Sequence, residues 1–570
     1  MNQYAEILRQ DETDQKESVL GRNQVHNKSG GLVFEMDRWS RLMRFLILGS
    51  DGGTFYAGAK EHTMDNAASV IDCIRENGKR VVDMVVDVSV NSRAPRNDTA
   101  LLVLAMCTCQ NYSDNITRGY AYSHLNDVAR IGTHLFQFME YRKSLGAGSG
   151  RGFRNAISNW YSSKTPEQVG YQIAKYPSRV VSEGKKNSSW SHRDVLRMAH
   201  PSTKDVEMNA AFKYAVRGEL DPEVPPILLG AHMAKNFDTF EKQHQERAKM
   251  GLNGYTFSSK RSDVITSFGL SREMLPTEWL NDVGVWQALW DTGMPYTAMI
   301  RNLGTMSKIG LLKPLTPFAK EVCAKIRNKE AITKSRVHPY ALLTALKTYA
   351  QGRGFRGDNS WTVVSQVVDA LNGAMYSAFD NVKPTGKRFL LGIDVSGSMT
   401  AASIRNSNIT AAEGAAVMAL ATAHAEEQYH IFGFSSKTPR RWGDDDVENT
   451  IMSQLDISPS MRLDNVLKVT HQNNFNFAST DCSLPMLYAL EQELAVDTFV
   501  VYTDNETYAG KIHPFQALKK YRKETGIPAK LVVCGMTSSG FTIADPNDAG
   551  MLDVVGFDSS TPAIIAEFSR

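Results

Sequence analysis

The residues best placed to do chemistry lie in three short stretches of the second half of the chain. Phe389-Leu390-Leu391-Gly392-Ile393 runs straight into Asp394-Val395-Ser396-Gly397-Ser398, an apolar strand that empties onto a loop of hard oxygen donors. Thr480, in Ser479-Thr480-Asp481-Cys482-Ser483, precedes an apolar helix-like stretch from Leu484 to Leu490. Val496 to Thr503 is a second β-rich run, and it ends in Asp504. Such a set suits Mg²⁺ or another small divalent cation, which takes oxygen ligands in near-octahedral geometry and keeps several waters. A phosphate loop or an ordinary turn is the alternative that a six-residue pattern leaves open. In an open parallel sheet the loops at the carboxyl ends of the strands form the ligand crevice, so three separated stretches can converge there.

The elements that must position these residues follow from the pattern after Thr385. Apolar strands are expected at 388–394, 428–434, 497–503, 529–534 and about 552–557, alternating with helices at 409–425, 461–470, 484–492 and 513–524; this is the signature of a doubly wound α/β sheet. Upstream the texture differs. Amphipathic helical patterns recur from Met36 onward, among them 66–76, 78–88, 133–145, 152–162, 166–176, 190–200 and 339–350, with little strand-like alternation. Short helices joined by small turns suit a helical-repeat solenoid. The expected division is a mobile tail at 1–35, a helical-repeat domain at 36–380 and an α/β domain at 385–570, with the polar stretch 236–274 as a long loop or insertion.

With 570 residues, the chain is too long for a single core. No run of eighteen apolar residues and no secretory signal is read, so no membrane is expected and the reading is a cytoplasmic protein, with a nuclear pool if the source is eukaryotic. The six cysteines are sparse and sit mostly in apolar runs, as buried thiols do. The formal charge of +3 hides a division: residues 385–570 hold 15 basic and 22 acidic residues, net −7, which leaves +10 for the rest. Within residues 141–200, 11 basic residues face 3 acidic ones, an excess that attracts polyanions in a salt-dependent way. The candidates for nucleic-acid contact are Arg142, Lys143, Arg151, Arg154, Lys164, Lys175, Arg179, Lys185 and Lys186, interleaved with Trp160, Tyr161, Tyr171 and Tyr176. Cations for phosphates and flat rings for bases are what single-stranded RNA needs. Ser191 caps an expected helix carrying His192, Arg193 and Arg197, with His192 placed to donate to a phosphate. A solvated charged face and core-packed aromatics are the plainer alternative. Asp444-Asp445-Asp446 is read as an exposed acidic loop.

The order strand-Asp-x-Ser-x-Ser, loop Thr, strand-Thr-Asp resembles the metal-ion-dependent adhesion site of a von Willebrand factor A domain. That resemblance implies ligand roles for Asp394, Ser396, Ser398, Thr480 and Asp504, the last through water. Ala478-Ser479 replaces the Gly-Gly often found before the threonine. A wider resemblance is carried by Arg44-Phe45-Leu46, Gly49 to Thr54, Trp190 to His200, Arg301-Asn302-Leu303-Gly304, Pro384 to Leu390, Thr480 to Met486, Thr503 to Thr507 and Ile527 to Asp553. In this order they are similar to the Ro ribonucleoprotein family, built on the telomerase–Ro–vault module. The resemblance implies a monomeric α-helical ring of HEAT-like repeats closed by an α/β von Willebrand factor A domain. It also implies a noncatalytic protein that binds small noncoding Y RNAs on a basic outer face and the single-stranded ends of misfolded RNAs in the ring. RNA quality control, and an exoribonuclease partner if the source is bacterial, belong to the same expectation. Two other classes remain in view: a metal-dependent adhesion module gripping an acidic protein partner, and a hydrolase using Asp394 and Asp504 as metal carboxylates, which no placed nucleophile or general base accompanies.

Overall fold

The structure, a computed structural model, describes residues 12–49, 59–183, 186–249, 260–335, 337–354, 358–377, 384–402, 409–436, 450–458, 461–462, 465–466, 469, 480–556, 558 and 560–570; side chains at 59–67, 178–189, 244–249, 400, 436 and 450 lie outside the description. From Arg38 to Ser377 the described chain is mainly helical, and helices pack in side-by-side pairs such as Arg38–Leu48 with Ala59–Val90 and Pro317–Arg327 with Ser365–Ser377. The apolar faces read from the sequence supply the core: Phe136, Phe138, Trp160 and Trp286 are all completely buried. Local signals fix several helix starts. Thr165 and Gln168 form a capping box ahead of Pro166–Lys175, and Ser191 and Asp194 form another ahead of His192–Ala199. The expected break between two helices at residue 77 is a kink: Ala59–Val90 is continuous except at Asn77, whose φ is −154°.

The helical array closes on itself. His338, which caps the helix Pro339–Ala350, places Nε2 3.0 Å from the carbonyl oxygen of Arg93, 245 residues earlier. Three features depart from the sequence reading. The stretch 236–274, expected as a loop, contains the helices Phe237–Lys249 and Arg261–Phe268, and helices Pro317–Arg327 and Lys329–Ser335 fill a stretch where none was expected. An antiparallel hairpin interrupts the array at Ser178–Glu183 and Lys186–Ser191.

The strands are numbered β1 (Gln24–His26), β2 (Leu32–Glu35), β3 and β4 for that hairpin, β5 (Arg388–Asp394), β6 (Gln428–Ser436), β7 (Thr450–Gln454), β8 (Thr498–Thr503), β9 (Lys530–Gly535), β10 (Phe541–Thr542) and β11 (Met551–Val555). The main sheet runs β11-β9-β8-β5-β6-β7. All pairs are parallel except β6 with β7, so the sheet is mixed, with an antiparallel edge the pattern reading did not include. β5 and β8 are adjacent and central, and β8 is buried at every residue, as a strand covered on both faces must be.

The tail expected at 1–35 is corrected over its described part. β1 pairs with β2, and β2 pairs with β10, so residues 24–35 extend a small sheet of the α/β domain. Gln15 is wholly buried there. Ion pairs stitch the helical and α/β parts together: Arg44, fully buried, meets Asp553; Arg93 meets Asp558 at 2.7 Å; Lys347 meets Glu413 at 2.6 Å. The cysteines are all buried and unpaired. Among the described residues no helix is long and apolar enough to cross a membrane.

Candidate cation site and nucleic-acid interface

The parallel pairing of β5 with β8 brings the two strand ends together. Thr503 Oγ1 donates to Asp394 Oδ2 at 2.7 Å, which ties the Asp394 loop to the residue before Asp504. The Asp394 loop is folded by its own side chains: the Ser396 amide donates to Asp394 Oδ1 at 3.0 Å, and the Ser396 and Ser398 hydroxyls lie 3.1 Å apart. The third loop packs on the second, because the carbonyl of Thr480 accepts from the amides of Tyr508 and Ala509, both at 3.1 Å. Asn505 adopts a left-handed φ of 68°, a conformation asparagine tolerates.

All five sequence-nominated ligands are buried together. Asp394, Ser396, Ser398, Thr480 and Asp504 are at most 3% exposed. Burial, reinforced by the neighbouring Asp504, pushes the Asp394 carboxyl well above the usual carboxylate range. Burial also raises Asp504, with the Ser398 hydroxyl and the Glu506 amide pulling the other way. Two oxygens are left over: Thr480 Oγ1 and Asp504 Oδ2 are buried without a hydrogen-bond partner. Buried polar atoms are normally satisfied, so two acceptor oxygens without partners beside a buried carboxylate pair fit a cation-binding cluster. The donor set fits a hard cation such as Mg²⁺: carboxylate and hydroxyl oxygens only, with a positive charge that would relieve the repulsion between Asp394 and Asp504.

The basic candidates divide. Lys143, Arg151, Arg154, Arg193 and Arg197 are exposed. Arg193 and Arg197, with Arg217 and Lys235, line a groove of about 550 Å³ in which no acidic residue takes part. Arg142 is turned inward, its guanidinium bonded to the carbonyls of Thr108 and Gly148 and lying 4.2 Å from the centre of the Phe153 ring. Lys164 is half-buried over Trp160, and this burial lowers its ammonium to about 8. Lys175 is held by the Tyr171 hydroxyl at 2.8 Å. Arg179 and Lys186 fall on β3 and β4, where only the backbone is described, and Lys185 lies outside the described residues, as do Asp444, Asp445 and Asp446.

His192 corrects the reading that placed it against a phosphate. It is 2% exposed, packed against Phe136 and Trp160, with Nδ1 2.7 Å from the Tyr161 hydroxyl. Burial lowers its imidazole to about 3, so it is neutral at ordinary pH. Trp160 and Tyr161 are equally buried, which removes two of the four rings nominated for base stacking.

A second basic cavity was not read from the sequence as a site. It holds about 630 Å³ where early and late helices of the closed array meet, and Arg96, Arg272, Arg301 and Lys308 line it beside Tyr349 and Trp361, with no acidic residue in the lining. The two rings stack on each other at 6.1 Å. These four cations are spread over more than two hundred positions, so no local charge run announces them. Only Arg301, in Arg301-Asn302-Leu303-Gly304, had been singled out, as part of the family resemblance.

Fold and site together define a class: a closed array of helices joined to a von Willebrand factor A-type domain with an oxygen-lined cluster at the carboxyl end of its sheet. Residues 25–249 and 267–348 match the TROVE domain, and residues 388–569 match the Ro60 vWA domain. The chain belongs to the Ro60 family. It is 36% identical over 604 residues to the RNA-binding protein RO60 of Caenorhabditis elegans, covering 96% of this chain and 90% of the relative. It is 35% identical over 557 residues to the RNA-binding protein RO60 of Deinococcus radiodurans, covering 97% and 96%. The crystal structure of the Deinococcus radiodurans RO (RSR) protein superposes with a TM-score of 0.65 at 34% identity, over 94% of this chain and 99% of that one.

Proposed function

We propose that this protein binds RNA without cleaving it, in two modes. Small structured RNAs of the Y RNA kind dock on the outer basic face around Arg193 and Arg197. The single-stranded ends of misfolded noncoding RNAs enter the cavity lined by Arg96, Arg272, Arg301 and Lys308. The outcome is RNA quality control and stabilisation of small RNAs. The observation that carries the reading is the basic lining of that cavity, where Arg272, Arg301 and Lys308 stand beside the partly exposed Trp361 with no acidic side chain among them; cations for phosphates and a ring face for a base are what unpaired strands require. Two relatives named as RNA-binding proteins support it. The test titrates a hairpin RNA with and without a single-stranded 3′ tail at two salt concentrations. Tail-dependent, salt-sensitive affinity is expected; affinity indifferent to both defeats the reading.

The buried orphan oxygens favour a second role for the α/β domain: Mg²⁺ held by Asp394, Ser396, Ser398, Thr480 and Asp504, with a remaining coordination position for an acidic side chain of a protein partner. A ribonuclease recruited in this way would act on RNA held by the helical part. Asp394→Ala would then abolish Mg²⁺-dependent partner capture and spare RNA binding.

A further inference from the structure

The strap formed by residues 13–31 crosses the loops of the candidate cation site, and its contacts there are polar, buried and specific. Gln15 donates from Nε2 to Asp481 Oδ1 at 2.7 Å and to the Ile512 carbonyl at 2.9 Å, while its Oε1 accepts from the Thr507 hydroxyl. One amide therefore joins the residue after Thr480 to the loop that follows Asp504. Asn27 donates from Nδ2 to the carbonyls of Asn505 (3.2 Å) and Thr507 (2.7 Å), and Ser29 donates its amide to Glu506 Oε2 (3.0 Å) and its hydroxyl to the Glu506 carbonyl (3.1 Å). Two glycines make the approach possible. A Cβ on Gly31 would lie 1.9 Å from the Thr507 carbonyl oxygen, and one on Gly510 would lie 2.2 Å from Gln15 Nε2 and 2.4 Å from Asp481 Oδ1.

We infer that Gln15, Asn27 and Ser29 are positioning residues of the cation site, holding the Thr480 and Asp504 loops at the separation a bound cation needs. This rests on the reading of those loops as a cation site. Direct hydrogen-bond partners of metal ligands change affinity by roughly 10–100-fold when removed; Gln15, Asn27 and Ser29 act one residue further out, through Asp481, Asn505, Glu506 and Thr507, so a smaller factor is expected of them. Binding energies are also reciprocal: if the strap tightens cation binding, the cation tightens strap docking by the same factor.

The experiment uses the full chain and Mn²⁺ alone as the probe, with free Mn²⁺ followed by electron paramagnetic resonance. Gln15→Ala and Asn27→Ala are each expected to weaken Mn²⁺ binding by about threefold to tenfold, below the range for a direct partner of a ligand. RNA affinity serves as the folding control. On the unaltered chain, Mn²⁺ is expected to slow tryptic cleavage after Lys16, Arg22 and Lys28, half-maximally at the concentration that half-saturates the site. A strap that is only structural would lower the melting temperature in both variants but leave Mn²⁺ affinity unchanged and cleavage indifferent to Mn²⁺; that result overturns the inference while leaving the cation site intact. An unaltered chain that takes up no Mn²⁺ overturns both.

Discussion

The two polar regions of this molecule are built on opposite plans. In the α/β domain the key charges are acidic, buried and concentrated where three loops meet; Asp394 and Asp504 are essentially inaccessible. In the helical array the relevant charges are basic, more open and dispersed over many helices. Coordination at a buried cluster acts through contact, so each ligand is indispensable. Attraction of a polyanion is a screened sum over many cations, so no single residue is decisive. On the functions proposed above, selectivity for a small hard ion and tolerance toward RNA sequence would follow from the same contrast.

The contrast can be broken most directly at Asp394. Asp394→Ala is expected to weaken divalent-cation binding by more than about 100-fold, a loss of roughly 2.7 kcal/mol at least, with RNA affinity unchanged in a gel-shift titration; a parallel loss of RNA binding would show that the regions are one site. Next in size is salt. With about four phosphates neutralised on a single strand, raising salt from 50 to 200 mM should cost RNA affinity on the order of 50-fold, measured by fluorescence anisotropy. Removing two cations, by Arg301→Ala with Lys308→Ala, should reduce affinity for a tailed RNA about tenfold and flatten the logarithmic salt slope by about 1.4. Arg193→Ala with Arg197→Ala should cost a tailless hairpin a similar factor, with a slope change of about 1.8 because the phosphates are those of a duplex, which would separate the inner from the outer basic surface.

The smallest expected effect on binding comes from His192. Its imidazole is held at about 3 in the folded chain against 6.5 when free, so the unfolded state takes up the proton first. Stability is full above pH 6.5 and is lost as pH falls toward 3, by up to about 1.4 kcal/mol per pH unit. Chemical denaturation of the unaltered chain and of His192→Gln across pH 7 to 5 checks this. The variant should lose the His192 contribution to the slope, and RNA affinity should not follow His192 titration.

The gathering of Asp394, Ser396, Ser398, Thr480 and Asp504 into one buried cluster was legible because its signal is local. A strand of apolar residues ending in Asp-x-Ser-x-Ser specifies both the element and the loop, and the kink at Asn77 and the capping box at Ser191 are equally short-range. The pairing of β2 with β10 was not legible, since it joins residues more than five hundred positions apart, and polar residues such as Gln15 and Asn27 look like solvated tail until the partner surface is known. The basic run at 141–200 misled in part. Charge and aromatic content do not say which way a side chain points, and Arg142, Trp160, Tyr161 and His192 turn inward. The inner cavity escaped for the converse reason: its cations are single residues on separate helices, gathered only when the array closes.

Because β2 is hydrogen-bonded to β10, a segment made early must wait for a partner translated much later. At about 5–20 residues per second, the intervening stretch takes roughly half a minute to two minutes to make. During that interval the early strands have unsatisfied edges and Gln15 has no counterpart. The helical repeats, whose contacts are mostly between neighbours, can form meanwhile. Maturation of the α/β domain is therefore set by translation of the carboxyl-terminal strands, and a ribosome stalled before Phe541 would display a formed helical array beside an unfinished sheet.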